Sequence, residues 1–407
     1  MLNAGLRTIA AQSPGQTAVV HGATRMTYAE LEADANRFAQ VFRERGLARG
    51  DHVAYLLTNG PEILSLAWAA YRCGLYLTSL PPTLTQRDAA FIIADCQARV
   101  VIAHAAWRAL SESLPAQCPA VSHWFSLGAV LEGYEALQPL LERSPDRPIE
   151  DESPGALMLY TSGITGPLRG VWRPLADAQY TGQPLFAQDI VESFDLSGSS
   201  VRYLSATPLY HAAALRTSLA VTMSGGTVFA MDRFHADAAL NLLESERITH
   251  SQWVPTMFQR CLALPEARRA AHHAPHHRVA FHGAAPCPPA VKKAMIDWWG
   301  PVLFEYYGGT EGVGVTAISA EEWLAKPGSV GRARRGRIHI LGRDDGELPV
   351  GKIGRIFFSG AVPFTYFNDA VKTKTHTSTQ GFQTLGDIGH IDEDGYLYLA
   401  NRTGIPM

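Results

Sequence analysis

Helix-period and strand-period patterns of apolar residues alternate over the first three quarters of this chain. Thr27 and Glu30 stand in capping-box spacing, in which each side chain satisfies an orphan backbone donor at a helix start. Leu31, Ala35, Phe38 and Phe42 follow at helical spacing, and Gly46 closes the helix. The apolar run 52–57 predicts a short strand, after which Asn59-Gly60-Pro61 punctuates the chain and opens another helix. Residues 100–103, 203–206, 227–231 and 278–281 read as further buried strands, with helical patterns between several of them. Strands alternating with helices predict α/β layers built on mostly parallel sheets.

The texture changes after about Gly328. Short strands at 337–341, 354–359 and 396–400, separated by Gly and Asp turns, predict a small antiparallel or barrel-like subdomain. The expected organisation is therefore α/β subdomains over 1–327 and a β-rich subdomain over 328–407. Residues 143–154 are polar and hold three prolines, which suits a loop or a subdomain joint. No internal repeat or low-complexity stretch is visible.

Composition narrows the class. The 407 residues are 46% hydrophobic and 18% charged, which fits a globular protein with a large core and excludes a disordered one. A formal net charge of −3 gives no electrostatic case for nucleic acid or membrane binding. The five cysteines, Cys73, Cys96, Cys118, Cys261 and Cys287, form no C-x-x-C pair and are odd in number, which argues against a disulfide framework or zinc site and for a reducing compartment. The first sixteen residues are too polar for a signal peptide, and the apolar run 63–71 is far short of a transmembrane segment. A cytoplasmic protein is the default expectation.

Three segments carry candidate chemistry. In the first, the apolar run Leu157-Met158-Leu159-Tyr160 leads into Thr161-Ser162-Gly163-Ile164-Thr165-Gly166-Pro167-Leu168-Arg169-Gly170. Glycines let backbone amides approach an anion, hydroxyls add donors, and Arg169 can make a bidentate phosphate contact. The spacing is not that of a Walker A loop, and a mobile surface loop has the same composition. In the second, Glu305-Tyr306-Tyr307-Gly308-Gly309-Thr310-Glu311-Gly312 follows an apolar strand, at the sheet edge where α/β proteins bind ligands. There Tyr can stack on a base, Thr310 can donate to a phosphate and Glu311 can hold Mg²⁺ beside phosphates; a plain strand-to-turn connection is the alternative. In the third, Gly386-Asp387 precedes a hairpin turn at 392–395 and Arg402, and a carboxylate on such a loop suits two vicinal ribose hydroxyls.

Other side chains favour structural roles. The His272, His273, His276 and His277 cluster has an intervening proline and no carboxylate partner in sequence, so a solvated loop is favoured over a metal site. Trp253, Trp298 and Trp299 are candidates to line an acyl tunnel, while core packing is favoured for most of the eight tryptophans. Taken alone, His211 reads as a core histidine, and Cys287 as buried rather than nucleophilic.

With these segments in this order, the chain resembles the adenylate-forming superfamily, which includes acyl-CoA synthetases, peptide-synthetase adenylation domains and luciferases. Tyr160 to Gly170 resembles its phosphate loop, Tyr307 to Glu311 its Y-G-x-T-E signature, and Gly386-Asp387 through Arg402 its G-D…R signature. Pro208-Leu209-Tyr210-His211, Gly283-Ala284-Ala285-Pro286 and Phe364-x-Tyr366-x-Asn368 match further segments between them. The likeness runs from about Thr27 to Arg402 and is strongest for the carboxylate–CoA ligase type. It implies an α/β fold: the large N-terminal region of that superfamily, two mostly parallel α/β subdomains and a small β-barrel-like subdomain. It implies small-molecule partners, namely a carboxylic acid, ATP and coenzyme A, with Mg²⁺; it implies no nucleic acid and allows a homodimer. By resemblance, Thr161, Ser162, Gly163, Thr165, Gly166 and Arg169 hold the β- and γ-phosphates. Tyr307 stacks on adenine beside Gly283, Ala284 and Ala285. Thr310 meets the α-phosphate, Glu311 ligates Mg²⁺, Asp387 binds the ribose with help from Arg402, and His211 borders the acyl carboxylate. The catalytic group implied is Thr165, Arg169, His211 and Glu311, acting by positioning and charge neutralisation rather than as nucleophiles.

The chain departs from the family pattern at several places. Ile164 replaces a hydroxyl residue, Arg169 a lysine, and Asn401 and Ile405 stand at acidic positions, the latter at the hinge of the C-terminal lid. The chain ends at Met407, so the lid and its lysine are expected to be absent. Two readings follow. One is ATP-dependent activation of a hydrophobic, fatty or bulky acid to acyl-AMP and acyl-CoA, impaired by the missing lid; Ala212, Ala213 and Ala214 after His211 leave room for such an acid. The other is a lidless nucleotide- or acyl-adenylate-binding remnant. A peptide-synthetase adenylation domain is disfavoured, because no carrier segment follows and no amine-binding Asp lies near 208–211.

Overall fold

Thr27 and Glu30 form the reciprocal capping box that their spacing predicts. In the computed structural model, which describes residues 5–161, 168–177 and 179–400, the Glu30 amide donates to the Thr27 hydroxyl (3.2 Å) and the Thr27 amide to the Glu30 carboxylate (2.7 Å). The helix Tyr28–Glu44 that follows buries Leu31, Ala35, Phe38 and Phe42. The chain divides into two units, Met1–Arg233 and Phe234–Met407.

In the first unit, one sheet orders Glu135–Ala136, His123–Leu127, Ala98–His104, His52–Leu56, Tyr76–Ser79 and Ala156–Leu157, every neighbouring pair parallel. His52–Leu56 is buried along its whole length, as a strand covered on both faces must be. A second set runs Arg202–Ser205, Thr227–Ala230, Thr17–His21 in parallel, with Thr24–Thr27 antiparallel beside the last. The prolines of 143–154 fall between the helix Gln138–Arg143 and the strand Ala156–Leu157. Between the helices Tyr28–Glu44 and Pro61–Arg72, the fully buried Arg72 guanidinium donates to both Glu32 oxygens (2.9 and 2.6 Å). Two parallel charge-assisted bonds fix the relative register of these helices.

In the second unit, His250–Trp253, Val279–His282 and Leu303–Tyr307 lie parallel. Val315–Ser319 then turns antiparallel, followed in space by Ser329–Arg335, Leu397–Ala400, Ile388–Ile391, Gly354–Ser359 and Arg337–Leu341, all antiparallel. The antiparallel texture thus begins at Val315, ahead of residue 328. The turn at 392–395 is a hairpin, as expected: Asp392 accepts from the amides of Asp394 (3.0 Å) and Tyr396 (2.9 Å).

One expectation needs correcting. The four clustered histidines do not form a solvated loop throughout, because two turn inward. His277 is 8% exposed, bonds Ser251 Oγ at 2.6 Å and packs against the Trp299 ring, while His272 bonds Glu244 Oε1 at 2.6 Å. The cause is the aromatic core formed by Trp253, Phe258 and Trp299, which offers apolar cover for an imidazole, with Ser251 as a polar partner. Burial draws His277 down to about 3, so the ring is neutral. Among the described residues, no helix is long and apolar enough to cross a membrane.

Candidate active site

Side-chain chemistry converges in the second unit at the carboxyl ends of parallel strands, where open α/β sheets bind ligands. Val279–His282 and Leu303–Tyr307 run side by side, with His282 level with Glu305. The next residue, Gly283, is buried against its neighbour. A Cβ there would lie 2.7 Å from the Tyr306 ring and 2.8 Å from the Tyr306 carbonyl oxygen, so only glycine allows the two strand ends to approach this closely. Ala284 follows with φ +67, a left-handed conformation rare for a residue with a side chain, and Ala284 and Ala285 are exposed. Gln252, on the adjacent strand, donates to the Tyr306 hydroxyl at 3.2 Å.

The turn after Leu303–Tyr307 carries two acidic contacts. The Tyr307 hydroxyl donates to Asp387 Oδ2 at 2.8 Å, joining groups 80 residues apart. Burial, reinforced by Asp387, lifts the Tyr307 pKa well above the phenol range, so the hydroxyl stays a donor. Asp387 is exposed, on the loop between Thr384 and the strand Ile388–Ile391; the Gly386 amide donates to Thr384 Oγ1 at 2.9 Å. Glu311, by contrast, is only 8% exposed, and its Oε1 accepts from the Tyr366 hydroxyl at 2.9 Å. Arg335 donates to the Gly312 carbonyl oxygen, pinning the turn one residue further on. Thr310 is half-buried between these points.

Behind the strand ends lies a buried ion pair. Lys292, on the helix Pro289–Trp299, donates to Glu305 Oε2 at 2.7 Å and sits 4.8 Å from the Trp323 ring centre. Burial outweighs the mutual attraction: it draws Lys292 below the amine range and lifts Glu305 above the carboxylate range. The pair ties the helix to the strand that ends in Tyr307.

The first unit holds the remaining described candidates. Thr161 and Arg169 face each other in register across the antiparallel hairpin of Leu159–Thr161 and Arg169–Trp172. The hairpin is anchored by the Tyr160 hydroxyl, which donates to Asp95 Oδ2 at 2.5 Å. His211 occupies the N-cap position of the helix Ala212–Met223. The segment before it is fixed from several sides. Leu209 donates its amide to Asn59 Oδ1 (2.7 Å), Asn59 Nδ2 donates to the Met231 carbonyl oxygen (2.5 Å), and Ser79 Oγ donates to the Tyr210 carbonyl oxygen (2.8 Å). His211 is therefore not a core histidine: its side chain keeps solvent access, while desolvation by its surroundings holds its pKa below the imidazole range. Ser162, Gly163, Ile164, Thr165, Gly166, Asn401, Arg402 and Ile405 lie outside the described residues.

The fold thus gathers Gly283, Tyr307, Thr310, Glu311 and Asp387 within one unit, and holds Thr161, Arg169 and His211 in the other. Sequence reading gives Tyr366 only as part of a matching family segment and Asn59 only as punctuation before a helix, and it gives Gln252 and Arg335 no role. All four act across long sequence separations, where no local pattern signals the partner. Among the described residues, no group of three or more His, Cys, Asp or Glu side chains could cage a metal. A single fixed carboxylate such as Glu311 suits Mg²⁺, which binds through one or two carboxylates and the phosphates of its nucleotide.

The sequence pattern of the AMP-binding enzyme family matches residues 6–365. The long-chain-fatty-acid–CoA ligase FadD13 of Mycobacterium tuberculosis is 31% identical, over 98% of this chain and 78% of its own length. Indoleacetate–CoA ligase of Aromatoleum aromaticum is 29% identical, over 96% of this chain and 76% of its own. Among solved structures, the inhibitor-bound N-terminal domain of FACL13 from M. tuberculosis superposes with a TM-score of 0.85 at 29% identity, covering 99% of this chain and 100% of that one.

Proposed function

We propose that this chain, which belongs to the AMP-binding enzyme family, activates a hydrophobic carboxylic acid with ATP and transfers the acyl group to coenzyme A. The observation that carries the reading is the Tyr307–Asp387 bond of 2.8 Å at the strand ends beside Gly283. It sets an aromatic ring and a ribose-type acceptor at one edge, next to a glycine that lets the two strand ends come close together.

In this reading adenine stacks on Tyr307, with its edge against Gly283, Ala284 and Ala285, and Asp387 takes the ribose hydroxyls with Arg402 assisting. Thr310 meets the α-phosphate. Thr161, Ser162, Gly163, Thr165, Gly166 and Arg169 hold the β- and γ-phosphates. Glu311 holds Mg²⁺, which when bound neutralises phosphate charge. A substrate carboxylate oxygen attacks the α-phosphorus and pyrophosphate leaves; a thiol sulfur then attacks the acyl carbonyl carbon and AMP leaves. The protein supplies position and charge compensation to both steps rather than a nucleophile. His211, neutral at pH 7 because its pKa is held down, borders the acid without competing as a cation for the phosphates. The CoA ligases of long-chain fatty acids and of indoleacetate among the relatives support a long or bulky apolar acid. Free cysteines support a reducing compartment, the cytoplasm.

A pyrophosphate-release assay over a panel of acids, with ATP, Mg²⁺ and coenzyme A, tests the proposal. The expected outcome is turnover that rises with apolar surface on the acid. Absence of turnover with every acid, together with tight calorimetric binding of a nonhydrolysable acyl-AMP analogue, would replace it with the binding-protein reading.

A further inference from the structure

Tyr366 has no role in the reading above, yet the fold spends several fixed contacts on it. Its backbone amide donates to Thr373 Oγ1 at 2.9 Å, and Thr373 Oγ1 donates in turn to the Asp369 carbonyl oxygen at 2.9 Å. Asp369 caps the helix Ala370–Thr375 through the Lys372 amide at 2.8 Å. Two residues earlier, the Gln383 side chain clamps Phe364, accepting from its amide (3.0 Å) and donating to its carbonyl (2.9 Å). The Tyr366 ring meets Phe364 and His376 edge-on, with centroids 5.0 and 5.2 Å away. Tyr366 is 5% exposed. Its hydroxyl is therefore carried on a rigid mount, and it is delivered to Glu311 Oε1 at 2.9 Å.

From this geometry we infer that Tyr366 is a positioning residue that sets the Glu311 carboxylate for its metal. The inference rests on the reading of Glu311 as the Mg²⁺ ligand. Three features of the turn carry it. The phenol engages Oε1 and leaves Oε2 on the side of Gly309, where a Cβ would lie 2.7 Å from Oε2 and 2.6 Å from Leu385 Cδ2. A side chain at 309 would thus push the carboxylate out of this orientation, so glycine and phenol select the same one. Arg335, on the Gly312 carbonyl oxygen, holds the backbone just beyond. The donor is also neutral: a phenol orients a carboxylate without contributing a cation of its own. Orientation matters for Mg²⁺ because that ion demands near-ideal octahedral geometry at short range. Partners that fix a ligating carboxylate typically change metal affinity by about 10–100-fold when removed.

The experiment titrates Mn²⁺, followed by its paramagnetic resonance signal, into the full chain with α,β-methylene-ATP. Wild type, Tyr366→Phe, Glu311→Gln and the double variant are compared. Phe keeps the ring and its packing; the melting temperature and metal-free AMP binding check that fold and nucleotide site are intact in each variant. Tyr366→Phe is expected to weaken Mn²⁺ roughly tenfold while leaving AMP binding unchanged, and to add nothing in the Glu311→Gln background. Affinity within twofold of wild type, or an equal loss in both backgrounds, overturns the inference. If Glu311→Gln alone leaves Mn²⁺ affinity intact, the metal role of Glu311 fails, and this inference fails with it.

Discussion

Asp387 and Glu311 each accept a tyrosine hydroxyl, at 2.8 and 2.9 Å, but Asp387 is exposed whereas Glu311 is 8% exposed. The difference separates two ways of keeping an acceptor ready. An exposed carboxylate exchanges one donor for another at little cost, since water takes whatever position a ligand leaves. A buried carboxylate must keep its partners, because losing one leaves desolvated charge. On the proposed function, the Asp387 loop therefore suits a group that trades a phenol for ribose hydroxyls during each binding event. The Glu311 turn suits a group whose orientation stays constant through the cycle. The backbone is held at both acids, by Arg335 on the Gly312 carbonyl oxygen after Glu311 and by the Ile356 amide on the Asp387 carbonyl oxygen (3.0 Å), so the two differ in side-chain exposure.

The sharpest way to break this comparison is Glu311→Gln. It keeps shape and one acceptor but removes the charge that, in the proposed function, balances a cation beside phosphate. A fall in kcat of about 10²–10³ is expected at saturating ATP and Mg²⁺, the usual loss for one preorganised electrostatic group. A loss under tenfold would put Glu311 on a par with a replaceable surface acid. Asp387→Ala should act differently, raising KM for ATP by roughly tenfold or more with kcat largely kept, as expected for loss of hydrogen bonds to a charged acceptor worth about 1.5–3 kcal/mol. If kcat falls instead while KM holds, the exposed carboxylate is working in the transition state and the division between the two acids is wrong.

Local chemistry made part of this legible in advance. The Thr27–Glu30 capping box, the strand runs and the turn at 392–395 depend on residues within a few positions of one another, so sequence spacing carries them. The Y-G-G-T-E and G-D segments announced acceptors and aromatic surface by composition. What stayed hidden depends on partners brought together by topology. Tyr366 lies 55 residues from Glu311, Tyr307 lies 80 from Asp387, and Arg72 lies 40 from Glu32. The histidine cluster shows a different limit. Polarity suggested a solvated loop, but which imidazoles turn inward depends on where the rings of Trp253 and Trp299 lie, and the loop's own sequence does not encode that.

Tyr307→Phe is the gentlest perturbation, and it tests whether Asp387 really trades partners. If ribose replaces the phenol at Asp387, removing the hydroxyl frees an acceptor that nucleotide then satisfies. ATP affinity should change by no more than a few-fold, below the roughly 1 kcal/mol that a retained neutral hydrogen bond contributes. The free protein should register the loss through pH. The folded-state pKa of Tyr307 lies above that of the unfolded chain, so between pH 10 and that higher value the unfolded state gives up its proton first and stability falls as pH rises. Other buried tyrosines impose the same slope on both proteins, so the difference isolates this residue. Wild type should lose melting temperature more steeply than Tyr307→Phe above pH 10, with the two curves parallel below it. A large loss of ATP affinity would mean that the phenol stays on Asp387 when nucleotide binds, and the exposed acid would then be as fixed as the buried one; parallel curves throughout would mean that the free protein does not hold the phenol in its neutral form.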